Sequence, residues 1–326
     1  MLAVETTNLT KDYAIGFWRK KPKRVLDGLS LRVERGEIFG LLGPNGAGKT
    51  TTLKILLRLI FPTSGSAEIL GRGIEDVATH RRIGYLPENP SFYDHLTAEE
   101  FLHYTGDLFG LAAPETRRRT ARLLDRVGLA DSRNIQLRKF SKGMLQRVGL
   151  AQALINEPEL VFLDEPMSGL DPLGRREVRD LILELKEKGI TVFFSTHILS
   201  DAEMLCDRVA ILNRGRMQGC GELREMLALG VSSTEILLEA PDDLLLDRLK
   251  SYGTVVRTGA RVCLQVPKEA DVTPALDLLL KSGSRIVSVI PVKMSLEDYF
   301  LAQVALGTPA RPETESLSPN EGGHQG

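Results

Sequence analysis

Gly43-Pro44-Asn45-Gly46-Ala47-Gly48-Lys49-Thr50 fits the pattern G-x-x-x-x-G-K-[ST], and its flanks give that pattern a mechanism. Before it stands the short apolar run Ile38-Phe39-Gly40-Leu41-Leu42, which reads as a buried strand. After it, Thr51 to Ile60 repeats apolar residues at helical spacing. Strand, glycine-rich loop and helix form the setting in which a backbone can cradle phosphates. Gly43, Gly46 and Gly48 open conformations closed to other residues, so successive N–H groups can converge on one anion. The helix starting near Gly48 adds the positive end of its dipole, and Lys49 adds a mobile charge for the β- and γ-phosphates. Thr50 places a hydroxyl where a magnesium ion bridging the phosphates would sit. Pro44, Asn45, Ala47 and Thr51 belong to the same nucleotide-binding stretch. The spacing predicts a site for a nucleoside triphosphate.

A second apolar run, Leu160-Val161-Phe162-Leu163-Asp164-Glu165-Pro166, ends in adjacent carboxylates. Buried strands of parallel sheets have this composition, with their chemistry at the carboxyl end. Asp164 is expected to hold magnesium through a water, and Glu165 to orient and deprotonate an attacking water. Between the two runs, Phe140-Ser141-Lys142-Gly143-Met144-Leu145-Gln146-Arg147 opens a helical stretch through Ile155. Ser141 is placed as its N-cap, and Gly143 keeps the first turn open to close approach, which makes a second anion site.

Taken in order, these motifs resemble the nucleotide-binding subunit of an ATP-binding cassette (ABC) transporter. Ser168-Gly169-Leu170-Asp171-Pro172 matches that family's D-loop, and Ser195-Thr196-His197, after the strand-like Ile190 to Phe194, matches its switch histidine. Tyr13, in Leu9-Thr10-Lys11-Asp12-Tyr13, matches the residue that stacks on adenine. The resemblance covers roughly the first 225 residues. It implies an α/β P-loop NTPase fold: a mixed-sheet core, an antiparallel β subdomain and an inserted helical subdomain. It also implies two cassettes facing head to tail, each ATP lying between the phosphate loop of one and the signature of the other. Ser141 and Gly143 would then contact the γ-phosphate held by the second cassette. His197 would hold the γ-phosphate and the attacking water, and Asp171 would link the two sites. Because every element is present in this chain, a homodimer suffices, with a heterodimer left open. The implied cofactors are ATP and Mg2+. The implied partners are a second cassette and an integral membrane permease, with no nucleic acid.

Two departures refine the resemblance. The usual signature, Leu-Ser-Gly-Gly-Gln, is Phe140-Ser141-Lys142-Gly143-Met144 here, which keeps the hydroxyl and the second glycine and adds a charge. In Gly84-Tyr85-Leu86-Pro87-Glu88-Asn89 the usual glutamine is Glu88, a carboxylate able to ligate magnesium or a water. Both resemble the single-cassette subunits of bacterial exporters of drugs, lipids or surface polysaccharides. An importer ATPase is the alternative within the family. Soluble cassette proteins that act on ribosomes or DNA usually carry two cassettes, a long coiled coil or zinc motifs. This chain has one cassette, no sustained heptads and no zinc-like cysteine pairs.

Composition is consistent with this reading. Lys plus Arg number 42 against 43 acids, so no global charge points to nucleic acid or an acidic surface. No apolar run approaches the ~18 to 20 residues that cross a bilayer, and no secretory signal opens the chain. Cys206, Cys220 and Cys263 show no metal-ligand spacing and suit reduced thiols. The expected location is the cytoplasmic face of the cell membrane, reached through the permease.

The organisation follows. Residues 1–228 read as the cassette, with the helical subdomain at about 88–157 and a capping box at Thr97-Ala98-Glu99-Glu100 leading a helix to Phe109. Arg208 to Gly215 reads as a strand into a turn. Residues 232–302 read as a small accessory domain, with strands at Glu235–Glu239 and Arg261–Val266 and helices at Asp242–Ser251 and Pro274–Ser282. Its close, Ser295 to Phe300, resembles that of exporter-type cassettes. Residues 303–326, rich in Pro, Ser, Glu and Gly, are expected to be disordered. Between Tyr13 and a strand expected at Val25, Phe17-Trp18 and the basic run Arg19 to Arg24 read as an exposed loop, with contact to anionic headgroups or the permease as the sharper alternative.

Overall fold

Strands buried on both faces need unbroken apolar sequence, and the runs before the phosphate loop and before the paired carboxylates both meet that requirement. The computed structural model describes residues 1–16, 21–228, 231–239, 242–259, 261–293 and 295–299. The chain opens with a long hairpin, β1 (Leu2–Ile15) and β2 (Lys21–Glu34), followed by β3 (Ile38–Leu42), the phosphate loop and α1 (Lys49–Leu56). β4 (Ser64–Ile69) and β5 (Arg72–Gly73) lead to β6 (Ile83–Leu86). Next come α2 (Ala98–Leu108), α3 (Ala113–Arg126) and α4 (Lys142–Leu154). Strand and helix then alternate through β7 (Leu160–Asp164), α5 (Pro172–Glu187), β8 (Thr191–Thr196), α6 (Leu199–Leu205) and β9 (Arg208–Asn213). β10 (Arg216–Glu222) and α7 (Leu223–Ala228) follow. The C-terminal unit comprises β11 (Val231–Glu239), α8 (Asp243–Leu249), β12 (Thr254–Thr258), β13 (Arg261–Val266), α9 (Glu269–Lys281) and β14 (Arg285–Lys293).

The central sheet runs β10-β9-β3-β8-β7-β6, parallel except for β10 at its edge. Leu42 pairs with Thr196, and Asp164 pairs with Ser195. The phosphate loop, the Asp164-Glu165 pair and His197 therefore leave the carboxyl ends of three adjacent strands, where open parallel sheets bind ligands. Alternation along each strand divides the core in two. Phe39, Leu41, Phe162 and Phe193 face α1 and the antiparallel sheet β2-β1-β4-β5. Ile38, Val161, Leu163, Val192 and Phe194 pack with the interior of α2, α3, α4 and α5. At α2 the capping box forms as expected: the Thr97 hydroxyl accepts from Glu100 N, and the Glu100 carboxylate accepts from Thr97 N.

Several boundaries differ from the sequence reading. α1 stops at Leu56 although its apolar spacing continues to Ile60. Arg58 adopts φ +56°, Leu59 N donates to Lys54 O and Arg58 N to Ile55 O, which is a Schellman ending built without glycine. β2 starts at Lys21 rather than near Val25, so Pro22, Lys23 and Arg24 pair with Ala14, Tyr13 and Asp12 on an edge strand. Arg24 is clamped by Asp12 and Asp27, which removes it from the free basic run; Phe17 and Trp18 lie outside the described residues. β10 is an additional strand. It follows a two-residue turn in which Arg214 and Gly215 both have positive φ, a type I′ hairpin without the usual Asn-Gly signal.

In the C-terminal unit the sheet order is β12-β13-β11-β14, with β12 and β14 beyond the strands expected. α9 begins at Glu269 and carries Pro274 within it, because burial of Ala275 and Leu279 on the sheet outweighs the local preference. The 295–299 segment turns back onto the cassette. Leu296 is fully buried among Leu42, Ala202, Val209 and Ile211, and its N–H donates to Glu203 Oε1 at 2.5 Å. The tail expected to be disordered, 303–326, lies outside the described residues.

Gly84 in β6 lets α4 approach the sheet closely, since a Cβ there would lie 1.9 Å from the carbonyl oxygen of Ala153. A backbone oxygen inside a helix cannot move aside cheaply. Gly84→Ala is expected to destabilise the protein by about 1–3 kcal/mol in urea unfolding. An unchanged midpoint would contradict this close contact.

Candidate active site

The phosphate loop needs glycine for two separate reasons. Gly43 has φ +156°, and a Cβ on it would sit 2.2 Å from Leu212 O; at Gly48, φ +112°, a Cβ would meet Leu26 Cδ2 at 2.7 Å. Backbone conformation and crowding thus act together. Lys49, the first residue of α1, is buried, and its Nζ donates to Gly43 O at 2.7 Å. The same ammonium lies 3.3 Å from Glu165 Oε1. A cleft of about 250 Å³ opens here, lined by Val25, Asn45, Gly46, Gly48, Lys49, Thr50, Thr51, Glu88 and Glu165.

Asp164 is 1% exposed, and its Oδ1 accepts from Ser195 Oγ at 2.5 Å and from Thr50 Oγ1 at 3.3 Å. Burial raises its pKa, and the hydrogen bonds from Ser195 and Thr50 oppose that rise. Oδ2 is buried without a hydrogen-bond partner. Burial, then the nearby charges of Asp164 and Glu88, push the Tyr85 phenol up to about 12. An orphaned carboxylate oxygen in a negative spot beside a threonine hydroxyl suits a hard divalent cation. Among the described residues no three His, Cys, Asp or Glu side chains converge as a self-sufficient metal site. Magnesium would thus complete its shell with phosphate oxygens and waters, as it commonly does.

Glu165 follows Asp164 with φ +51°, a left-handed conformation uncommon outside glycine. Strain of this kind persists only where surroundings enforce it. Its N–H donates to Ser195 O at 3.1 Å, and its Oε2 lies 2.9 Å from His197 Nδ1. The carboxylate is 6% exposed, held between Lys49 on one side and His197 on the other. That places a carboxylate, an ammonium and an imidazole in contact.

Ser141, Gly143, Gly169, Leu170 and Asp171 line a different cavity, of about 210 Å³. Ser141 Oγ caps α4 by accepting from Met144 N at 3.2 Å, as its position predicted. Asp171 Oδ1 likewise caps α5, accepting from Gly174 N at 2.8 Å. The Lys142 side chain lies over Gly169, where a Cβ would come within 2.4 Å of Nζ. Tyr13 does not line the phosphate cleft; it pairs with Lys23 in the hairpin, and Val25 takes the lining position. Lys11 Nζ stands 5.1 Å from the Tyr13 ring centroid.

Two residues with no role assigned from the sequence take part. Ser195 ties β8 to β7 through Asp164 and is fully buried. Gln146 of α4, 3% exposed, donates from Nε2 to Pro166 O at 2.9 Å and so joins the signature helix to the loop after Glu165. Knowledge of the strand order would have found the first; nothing in local sequence marks the second.

The family model described as "ABC transporter" matches residues 26–168. An uncharacterized ABC transporter ATP-binding protein of Synechocystis sp. is 49% identical over 303 residues, covering 92% of this chain and 84% of the relative. The bacitracin transport ATP-binding protein of Bacillus licheniformis is 36% identical over 320 residues, covering 94% and 98%. A dimeric ATP-binding cassette, solved in a post-hydrolysis state bound to ADP and Pi, superposes with a TM-score of 0.62 at 28% identity, covering 68% of this chain and 99% of that one. With the phosphate loop, paired carboxylates, signature and histidine in place, this chain belongs to the ATP-binding proteins of ABC transporters, a family of ATPases.

Proposed function

We propose that this chain is the magnesium-dependent ATPase of an export system, closing as a head-to-tail homodimer against a separate membrane permease. The observation that carries the dimer is the split of the site. The signature cavity at Ser141 and the phosphate cleft at Lys49 are distinct in one chain, so a γ-phosphate reaches both only when a second copy supplies one of them. The similar cassette solved as a dimer bound to ADP and Pi supports pairing of two cassettes. Export is supported by the signature variant and by the bacitracin transport relative, whose match extends through the C-terminal unit.

The chemistry follows from the charges in place. Lys49 exchanges its bond to the Gly43 carbonyl for the β- and γ-phosphates, joined by the loop N–H groups and the start of α1. Asp164 and Thr50, with Glu88 at the rim, would hold Mg2+, which when bound offsets phosphate charge. Glu165, released from Lys49, accepts a proton from the attacking water at its carboxylate. His197, with Nδ1 against Glu165, stays beside that water and the γ-phosphate. Ser141 and Gly143 of the opposite copy, with Asp171, close the site and exclude bulk water. Tyr13 stays the adenine platform in this reading, outside the lining of the phosphate cleft.

The permease contact belongs to the helical subdomain. Tyr93 and Tyr104 meet edge to face with centroids 5.5 Å apart, and both are exposed beside Leu108 of α2. Exposed aromatic and aliphatic surface of this kind suits a partner helix. No helix among the described residues is long and apolar enough to cross a membrane, so the cytoplasmic face is reached through that partner.

Glu165→Gln is expected to retain ATP while losing hydrolysis by about 10²- to 10⁴-fold; wild-type turnover in a phosphate-release assay would sink the assigned base. Lys49→Ala should weaken ATP binding in calorimetry, since it removes charge-assisted bonds worth about 1.5–3 kcal/mol each. Unchanged affinity would count against the loop's role. Extraction from native membranes in mild detergent should bring down a polytopic membrane protein at near-equal stoichiometry. Recovery only in the soluble fraction, without a permease, would keep the ATPase and overturn transport.

A further inference from the structure

Leu296 belongs to the C-terminal unit by sequence and to the cassette by packing. It is fully buried in one cluster with Leu42, the last residue of β3, with Ala202 of α6, and with Val209 and Ile211 of β9. The turn that carries it is tightly closed. Ser295 Oγ accepts from Asp298 N at 3.1 Å, and the Asp298 carboxylate accepts from Ser295 N at 3.0 Å, the reciprocity of a capping box. Tyr299 N donates to Ser295 O at 3.0 Å. The Tyr299 ring lies over Gly219 of β10, where a Cβ would come 3.3 Å from the phenol oxygen. The Leu296 N–H points away from the turn and donates to Glu203 Oε1 of α6 at 2.5 Å.

Two elements of the active site meet in this cluster, and they are held unequally. β3 lies between β8 and β9, with Leu42 in register with Thr196 on one side and Ile211 on the other. Backbone ladders on both edges fix it. α6 has no ladder. It is seven residues long without a side-chain N-cap, and helices this short are held by packing rather than by their own hydrogen bonds. It starts two residues after His197, so the histidine's segment is anchored by β8 on one side and by α6 on the other. With the turn seated, His197 Nδ1 stands 2.9 Å from Glu165 Oε2.

We propose that Leu296 and Glu203 are positioning residues for His197: the 295–299 turn is the seat through which the C-terminal unit braces α6, and ATP hydrolysis requires that seat. The inference rests on the ATPase reading above. β14 ends at Lys293, two residues before Ser295, a link that spans at most about 7 Å. Displacement of the C-terminal sheet beyond that reach withdraws Leu296 from α6. The accessory unit thereby controls turnover in the cassette that carries it.

The full chain tests this as Leu296→Ala, Leu296→Met and Glu203→Ala. Steady-state ATPase assays give kcat and KM, and hydrogen exchange reads α6. Leu296→Ala is expected to lower kcat by about 10- to 100-fold, the cost of a misplaced catalytic group. KM for ATP should stay within about 2-fold, because β3 and the phosphate loop keep their ladders. Exchange should quicken in α6 and stay unchanged in β3 and β7. Leu296→Met keeps the side-chain volume and should stay close to the wild-type rate. Glu203→Ala removes one hydrogen bond and should lower kcat by about 2- to 10-fold. Alanine favours helix, so that loss could not come from weaker propensity, and this variant reads the seat even if Leu296→Ala folds poorly. Unchanged kcat in either alanine variant, a rise in KM as large as the fall in kcat, or Leu296→Met as slow as Leu296→Ala would each overturn the inference and leave the ATPase reading standing. No hydrolysis by the wild-type chain would overturn both.

Discussion

Ser195 donates to the buried carboxylate of Asp164 at 2.5 Å, and the rest of the site depends on the strand adjacency this bond records. Three parallel strands, β3, β8 and β7, end side by side. Their ends deliver a phosphate loop, a histidine and a pair of carboxylates to one place. None of these groups could be held so rigidly by loops alone, because each is fixed by a strand packed on both faces. The hydrogen bond also turns one oxygen of Asp164 toward Ser195 and Thr50 and leaves the other buried without a hydrogen-bond partner.

Buried charge is the second organising feature. Lys49 and Glu165 are each 6% exposed at the side chain, and Asp164 is 1% exposed overall. Removing one partner of a buried pair typically costs about 3–5 kcal/mol, since the other is left uncompensated. Lys49 and Glu165 therefore hold each other in place. The lysine also donates to Gly43 O, which ties its ammonium to the first glycine of the loop.

α6 draws the parts of the chain together. It follows the histidine, packs beside the D-loop helix α5, and meets the end of the C-terminal unit through Glu203 and Leu296. The C-terminal unit has its own core of Ile236, Leu264, Leu279 and their neighbours, yet Leu296, in its last described segment, is buried against Leu42, Ala202, Val209 and Ile211. The histidine's segment, α5 and the end of the C-terminal unit thus meet on one seven-residue helix.

The sequence by itself determined the local chemistry. Glycine at 43 and 48, lysine at 49, acids at 164 and 165 and a serine at an N-cap are legible because each acts through its own backbone or the next few residues. The buried strands and the capping box at Thr97 were legible for the same reason. Local signals failed where long-range packing decided the outcome. α1 ends on an arginine in a conformation that usually asks for glycine, β10 follows an Arg-Gly turn, and α9 keeps a proline inside it. Only tertiary structure placed Ser195 on Asp164 and Gln146 on Pro166 O. Those contacts join residues 20 to 31 positions apart through strand order and helix packing, which no local periodicity encodes.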